Sequence, residues 1–354
     1  RKPANNSQAG NNSRKVKRMA ALKKNKQALN AVLEAVSAGS SFLVTSHTNP
    51  DGDSIGSMLC VYHLLRALGK RDVLCVSEGP VPRNYQWLPG ASEIVTDSVC
   101  SKPVDVAIVV DVARTDRLGR VRESVAKAGK VIVIDHHLED RPDGDIRFVD
   151  STYGAVGEMV VELFMAAGAP LSRDAAECAY VSIITDTGGF RFANTTARSH
   201  RIAAALLDAG INVPEISSRV FDELSMPKFK LLTRVLERMR CDAGGRVAYS
   251  TLTAADIKGA SAELEDFSGL VDFARNIRGV DVGILFREVN EHSTKVSVRS
   301  HSTFNSAGFL RKFGGGGHSG AAGATLELPL DEACAVVLKE IRRELDGDGQ
   351  ARTK

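Results

Sequence analysis

The chain has 354 residues, of which 43% are hydrophobic and 25% charged; this is the composition of an ordinary globular protein long enough for two domains with full cores, and no apolar stretch is long enough to span a bilayer. Six cysteines, at 60, 75, 100, 178, 241 and 334, form no close pair, which speaks for buried reduced thiols and against a disulfide framework or a zinc site. The net charge of +3 hides an uneven spread: residues 1–26 hold nine Lys or Arg and no acid, leaving 37 of the 46 basic residues against 43 acids in the body.

That basic tail is expected to be disordered, with at most a loose attraction to nucleic acid, and the absence of an evident signal peptide predicts a cytoplasmic protein. Leu29, Val32, Leu33 and Val36 then mark a helix that stops near Gly39. Phe42-Leu43-Val44 is a short strand, followed by Ser46-His47-Thr48-Asn49-Pro50-Asp51-Gly52-Asp53-Ser54, a turn bearing one imidazole and two carboxylates. Ile55, Met58, Leu59, Tyr62, Leu65 and Leu68 recur at helical spacing beyond it. Ser54 is placed to cap that helix and leave its first N–H groups for an anion.

Asp72–Val76 is the next strand. The runs Val104–Asp111 and Lys130–Asp135 are near-continuously apolar, as suits strands covered on both faces of a parallel sheet. Each ends in an acid, and the second continues as His136-His137. Ligands collect outside the carboxyl ends of strands in such sheets, so His47, Asp111 and His136 are brought to one rim. A helix from Asp174 to Thr185 ends in Asp186-Thr187-Gly188-Gly189 and could deliver a fourth acid there. Residues 197–240 read as helices interrupted near Gly210 and Pro227. A second domain follows, with strands near 246–251, 280–288 and 294–300, helices near 266–276 and 331–345, and the run Gly314-Gly315-Gly316-Gly317-His318.

The first domain thus offers His47, Asp51, Asp53, Asp111, His136 and Asp186, four carboxylates and two imidazoles without a thiolate. That set favours Mn²⁺ or Mg²⁺ before Zn²⁺. Two ions are served if Asp111 bridges, with His47 and Asp51 on one and Asp53, His136 and Asp186 on the other. Such a pair supports phosphoester hydrolysis by a two-metal-activated hydroxide. His137 is then placed to contact the phosphate or protonate the leaving oxygen, with Asp135 orienting a histidine. The glycine run suggests backbone N–H groups brought close to an anion at a helix start, and Arg299 a fork for a terminal phosphate; a flexible hinge and a surface salt bridge are their structural alternatives.

Taken in order, His47–Ser57, Asp111, Asp135-His136-His137 and Asp186-Thr187-Gly188 resemble the four motifs of the DHH phosphoesterase superfamily, and Gly314–Gly323 resembles the signature of its associated C-terminal domain. The likeness covers roughly residues 28–345 and is greatest to the nanoRNase, or oligoribonuclease, and pAp phosphatase branch. It implies an α/β fold in which a parallel-sheet catalytic domain (27–196) is joined by a helical connector (197–240) to a smaller mixed α/β substrate-binding domain (241–346). It further implies Mn²⁺-dependent hydrolysis of short RNA to mononucleotides and of pAp to AMP, with Mg²⁺ or Co²⁺ as substitutes. Under this resemblance His47, Asp51, Asp53, Asp111, His136 and Asp186 are metal ligands and His137 and Asp135 catalytic, while Arg299, Asn305, Gly315, Gly316, Gly317 and His318 bind nucleotide. A homodimer is the expected assembly. A cyclic di-AMP or linear pApA phosphodiesterase shares these motifs, and a catalytically silent nucleotide-binding protein is the alternative from another class.

Overall fold

The computed structural model describes residues 25–96, 102–139, 141–301 and 304–351, with the backbone alone at His318 and 347–351. Most of the basic tail therefore lies outside the described residues. The chain divides into two units at Glu223/Leu224. Among the described residues no helix is long and apolar enough to cross a membrane.

The first unit opens with α1 (residues 25–38) and continues through β1 (Ser41–Thr45), α2 (Gly52–Ala67), β2 (Asp72–Ser77), β3 (Ile94–Thr96), β4 (Val106–Val110), α3 (Arg122–Val125), β5 (Lys130–Asp135) and β6 (Ile146–Val149). It closes with α4 (Val156–Ala167), α5 (Arg173–Asp186), α6 (Ala197–Asp208) and α7 (Val213–Ser217). The six strands make one parallel sheet in the order β3-β2-β1-β4-β5-β6. Apolar side chains alternate between its two covered faces. Phe42, Val44, Ile108 and Ile132 enter one core and Leu43, Ala107, Val109 and Val133 the other, which is why the strands read as unbroken apolar runs. The strand order reverses between β1 and β4, so the crevice beyond their carboxyl ends is the switch point where such sheets hold ligands.

The helices over this crevice pack closely because small residues line their contact. A Cβ on Gly56 of α2 would fall 2.6 Å from the Cys178 carbonyl of α5, and one on Gly157 of α4 would fall 2.2 Å from Ser182 Oγ. Backbone thus meets backbone, and the polar groups at the helix ends are drawn together.

The second unit comprises α8 (Met226–Glu237), β7 (Arg240–Asp242), β8 (Val247–Leu252), α9 (Ala254–Ala260), α10 (Asp272–Arg275), β9 (Val282–Asn290), β10 (Ser293–Ser300), α11 (Ser306–Arg311), β11 (Gly316–His318), β12 (Ala321–Leu326) and α12 (Leu330–Ala351). Its sheet runs β11-β12-β10-β9-β8-β7, antiparallel except between β8 and β9. The parallel-sheet and mixed-sheet layers expected from the sequence are both present.

The break expected near Pro227 is present at residues 223–225, and Pro227 lies in the first turn of α8, where its missing N–H costs nothing. Three local expectations are corrected. The cap of α2 is Asp51, whose carboxylate accepts from Ser54 N at 3.0 Å, so Ser54 sits inside the helix. The glycine run is not at a helix start: Gly314, at φ +72°, follows α11, and Gly316–His318 forms β11 against β12. Its glycines answer a packing demand, since a Cβ on Gly315 or Gly317 would stand 2.5 Å from the carbonyl of Gly323 or Ala321 respectively. Of the cysteines, Cys60, Cys75 and Cys178 are buried as expected, but Cys241 is exposed.

Candidate metal centre

His47 leaves β1, Asp111 leaves β4, His136 leaves β5, Asp51 and Asp53 flank the first residue of α2, and Asp186 is the last residue of α5. The switch-point crevice gathers all six. Their ligand-capable atoms fall into the group His47, Asp51 and Asp111, the group Asp53, His136 and Asp186, and a third that joins Asp111 to His136 and His137, each with its atoms within 4.8 Å of one another. Asp111 enters two of the three.

Each side chain is aimed by a specific local feature. Asp111 stands at φ +59°, a left-handed conformation that Asp tolerates better than most residues and that turns it away from the strand path. His47 Nδ1 donates to the Thr48 carbonyl at 2.8 Å and His136 Nδ1 to the Tyr153 carbonyl at 3.2 Å, so both rings direct Nε2 toward the carboxylates. His47 Nε2 lies 3.4 Å from Asp111 Oδ2. His136 Nε2 lies 3.3 Å from Asp186 Oδ2 and 3.5 Å from Asp53 Oδ2. Ser54 Oγ sits 2.8 Å from His47 Nε2 and donates to Asp111 Oδ2 at 2.6 Å. Asp53 accepts from Ser182 Oγ and, at 3.0 Å, from Val156 N, which ties α2 to α5 and α4.

The electrostatics fit a divalent cation. Among the described residues no Lys or Arg pairs with Asp51, Asp53, Asp111 or Asp186. Burial, with Asp111 and Asp186 adding to it, pushes the Asp53 carboxyl well above its ordinary range. Burial likewise lifts Asp186 to about 6, opposed by His136. Burial alone would lower His47, yet the neighbouring Asp111 turns the net shift upward. Asp111 Oδ1 and His136 Nε2 are buried without a hydrogen-bond partner among the described residues, and both face the crevice groups. Orphaned acceptors of this kind are what a hard or borderline cation satisfies.

His137 Nδ1 meets Asp135 Oδ1 at 2.8 Å and lies 3.6 Å from Asp111 Oδ1. Its hydrogen bond to Asp135 lifts it to about 9. Asp135, although its burial opposes this, is held below the usual carboxylate range by the same bond.

The remaining candidates belong to the second unit. Arg299 is on β10, paired across the sheet with Gly283 and Ala321, and its Nε lies 3.9 Å from Asp272. Asn305 caps α11, accepting from Gly308 N at 3.0 Å. Gly315 precedes β11, which contains Gly316 and Gly317; the side chain of His318 lies outside the described residues. The sequence reading missed Ser54 as a bridge, Ser182, Tyr153 and Asn194. Ser182 stands one helical turn before Asp186, a spacing that could have revealed it.

Residues 41–183 match the DHH family, N-terminal domain, and residues 244–346 the DHHA1 domain. The chain is 36% identical over 309 residues to the bifunctional oligoribonuclease and PAP phosphatase NrnA of Thermus thermophilus, covering 86% of this chain and 90% of that protein. The chain therefore belongs to the DHH family of phosphoesterases. It is 28% identical to the Bacillus subtilis protein of the same name, over 83% of this chain and 92% of that one. Among solved structures it resembles an exopolyphosphatase-related protein from Bacteroides fragilis, with a TM-score of 0.84 and 26% identity over 91% of this chain and 98% of that one.

Proposed function

We propose that this chain hydrolyses short RNA oligonucleotides, of about two to five nucleotides by family analogy, to mononucleotides, and pAp to AMP. The carrying observation is the convergence of four aspartates with His47 and His136 at the switch point, where among the described residues no Lys or Arg pairs with them. The likeness to relatives named for oligoribonuclease and PAP phosphatase activity narrows the phosphoester to these substrates.

In this reading His47, Asp51 and Asp111 hold one divalent ion, and Asp53, His136 and Asp186 hold a second together with Asp111. Mn²⁺ is the preferred ion because the donors are carboxylate and imidazole. When bound, the ions supply charge neutralisation for the phosphate and an acidified water. The chain's own groups do the rest. Ser54 and the Tyr153 carbonyl fix donor directions, and Asp135 keeps His137 protonated, so that His137 contacts the phosphate and gives the leaving oxygen its proton. In the second unit Arg299, Asn305 and the Gly315–His318 segment are the groups assigned to nucleotide binding.

The test is a Mn²⁺-supplemented panel of pAp, RNA from dimers to long chains, linear and cyclic di-AMP, and pyrophosphate. Preference for pAp and the shortest RNA supports the proposal; preference for cyclic di-AMP or pApA reassigns the substrate, and no turnover of any of them leaves a silent binder. Arg299→Ala should impair dimer cleavage strongly while sparing a generic activated phosphodiester. Sedimentation of the full chain tests the expected homodimer.

A further inference from the structure

Asn194 lies eight residues beyond Asp186, in the segment between α5 and α6, and belongs to none of the motifs. Its Nδ2 is 2.9 Å from the Gly154 carbonyl, 3.1 Å from the Asp186 carbonyl and 3.2 Å from Asp186 Oδ2. All three neighbours are acceptors, so the amide orientation is set by its surroundings: the flipped side chain would place Oδ1 against three oxygens. In the observed orientation Oδ1 is buried with no hydrogen-bond partner among the described residues. An unpaired buried carbonyl costs on the order of 1–3 kcal/mol, which a purely structural side chain at this position would avoid.

What the amide holds matters more than its own bonds. Asp186 Oδ2, which it contacts, is the atom 3.3 Å from His136 Nε2. Gly154, its other partner, follows Tyr153, whose carbonyl receives His136 Nδ1. Tyr153 is in turn fixed by Arg198, 3.8 Å above its ring, and by Glu162, which accepts its hydroxyl at 2.6 Å. Gly154 has no room to move: an added Cβ would stand 2.7 Å from Glu158 Oε1 and 3.1 Å from both the Asn194 carbonyl and Ser199 Oγ. One amide therefore spans the two backbone segments that aim His136 and Asp186. Among the described residues it makes no hydrogen bond to His47, Asp51 or Asp111.

We propose that Asn194 is a positioning residue that locks Asp186 to the Tyr153–Gly154 backbone and so presets the Asp53, His136 and Asp186 group, and not the His47, Asp51 and Asp111 group, for metal. The proposal rests on the two-ion reading above. Partners of this kind, one shell out from a ligand, contribute about 10–100-fold in metal affinity.

The test uses the full chain, with Mn²⁺ alone as probe, in calorimetric titrations of the parent and of Asn194→Ala, after thermal melting has shown the variant folded. Asn194→Ser serves if it is not. The expected result is two binding events in the parent and, in the variant, one of them weakened about 10–100-fold with the other affected far less. Unchanged affinity at both sites, or equal loss at both, overturns the proposal. Crystals of the metal-free parent and variant supply a readout that stands without the two-ion reading. If the parent binds fewer than two ions, that reading fails, and the metal-free structures still decide the role of Asn194: Asp186 leaving its parental rotamer in the variant supports it, and Asp186 unmoved refutes it.

Discussion

Carboxylates drawn from solvent, wholly or in part, are treated in opposite ways in the two units. In the second, Asp256 takes the Arg238 guanidinium through both oxygens and Thr253 N at 2.8 Å, and although burial opposes it the carboxyl is held below its ordinary range. Asp242 is held low by Arg342 in the same manner. At the crevice of the first unit, among the described residues, no Lys or Arg pairs with Asp53 or Asp186, and both are pushed up. A carboxylate that a fold needs for its own stability comes with its counter-charge in the sequence. One left among its own kind is matched by a cation from solution.

The sharpest way to break this contrast is to remove the carboxylate common to two of the crevice groups. Asp111→Ala should lower turnover by roughly 10³-fold or more while circular dichroism shows the fold retained. Full activity in that variant, or in metal-stripped parent, would sink the two-metal account.

A second test uses acid. For Asp186 the folded pKa of about 6 lies above the unfolded value, so between about pH 4 and 6 the folded state binds more protons and stability falls as pH rises. Asp53 acts in the same direction. The metal-free protein should therefore grow less stable across that window, and Asp186→Asn should recover roughly 2 kcal/mol at pH 7. Saturating Mn²⁺ should reverse the order of parent and variant, because only the parent gains the full binding free energy. Mn²⁺ binding near pH 6 should also release protons, seen as a dependence of the calorimetric heat on buffer ionisation enthalpy. A flat metal-free profile would mean that the crevice carboxylates are matched by the protein after all.

How much of this was legible beforehand follows the same division. His47, Asp51, Asp53, Asp111, His136 and Asp186 could be named because each ends or follows an apolar run, and the topology of a parallel sheet supplies the convergence. What aims them was not legible. Ser54 and Ser182 act by packing α2 against α5, and Asn194 acts through a backbone carbonyl forty residues away, relations that no local spacing encodes. In the second unit β11 and β12 escaped because Gly316–His318 and Ala321–Leu326 are mostly small residues with no alternating pattern, their strand state being set by pairing of β12 to β10 and of β11 to β12. The glycine run was misplaced for the same reason: what demands glycine there is a neighbouring carbonyl.

The matched side of the contrast predicts smaller effects with the opposite pH sense. Asp256→Asn removes the partner of Arg238 and weakens the cap of α9, and should cost about 1–2 kcal/mol in the calorimetric melting of the second unit. Because the folded pKa of Asp256 is depressed, its contribution is present above the unfolded value near about 4 and is lost as pH falls through the folded one. The difference between parent and variant should accordingly vanish in strong acid. A difference that grew with acidity would place Asp256 with the crevice carboxylates.

The smallest effect is expected where matching occurs at the surface. Lys312, just after α11, sets its ammonium 3.0 Å from Glu340 and 2.6 Å from Glu344, two carboxylates one turn apart on α12. Its stem also lies along Phe309, with the ammonium 5.8 Å from the ring centroid. Removing the charge leaves the two glutamates facing each other, a repulsion comparable with the attraction lost. The ammonium is about half exposed, however, and solvent screens both terms. Lys312→Met, which keeps the apolar stem, should therefore cost about 0.5 kcal/mol at low ionic strength and almost nothing in 1 M salt, where the screening length is about 3 Å. The variant's salt dependence separates the two kinds of matching. Surface pairing fades with salt, whereas the Asp256 effect persists because its carboxylate is buried. A Lys312→Met loss that survived 1 M salt would show that something other than the screened ion pairs is lost with the ammonium.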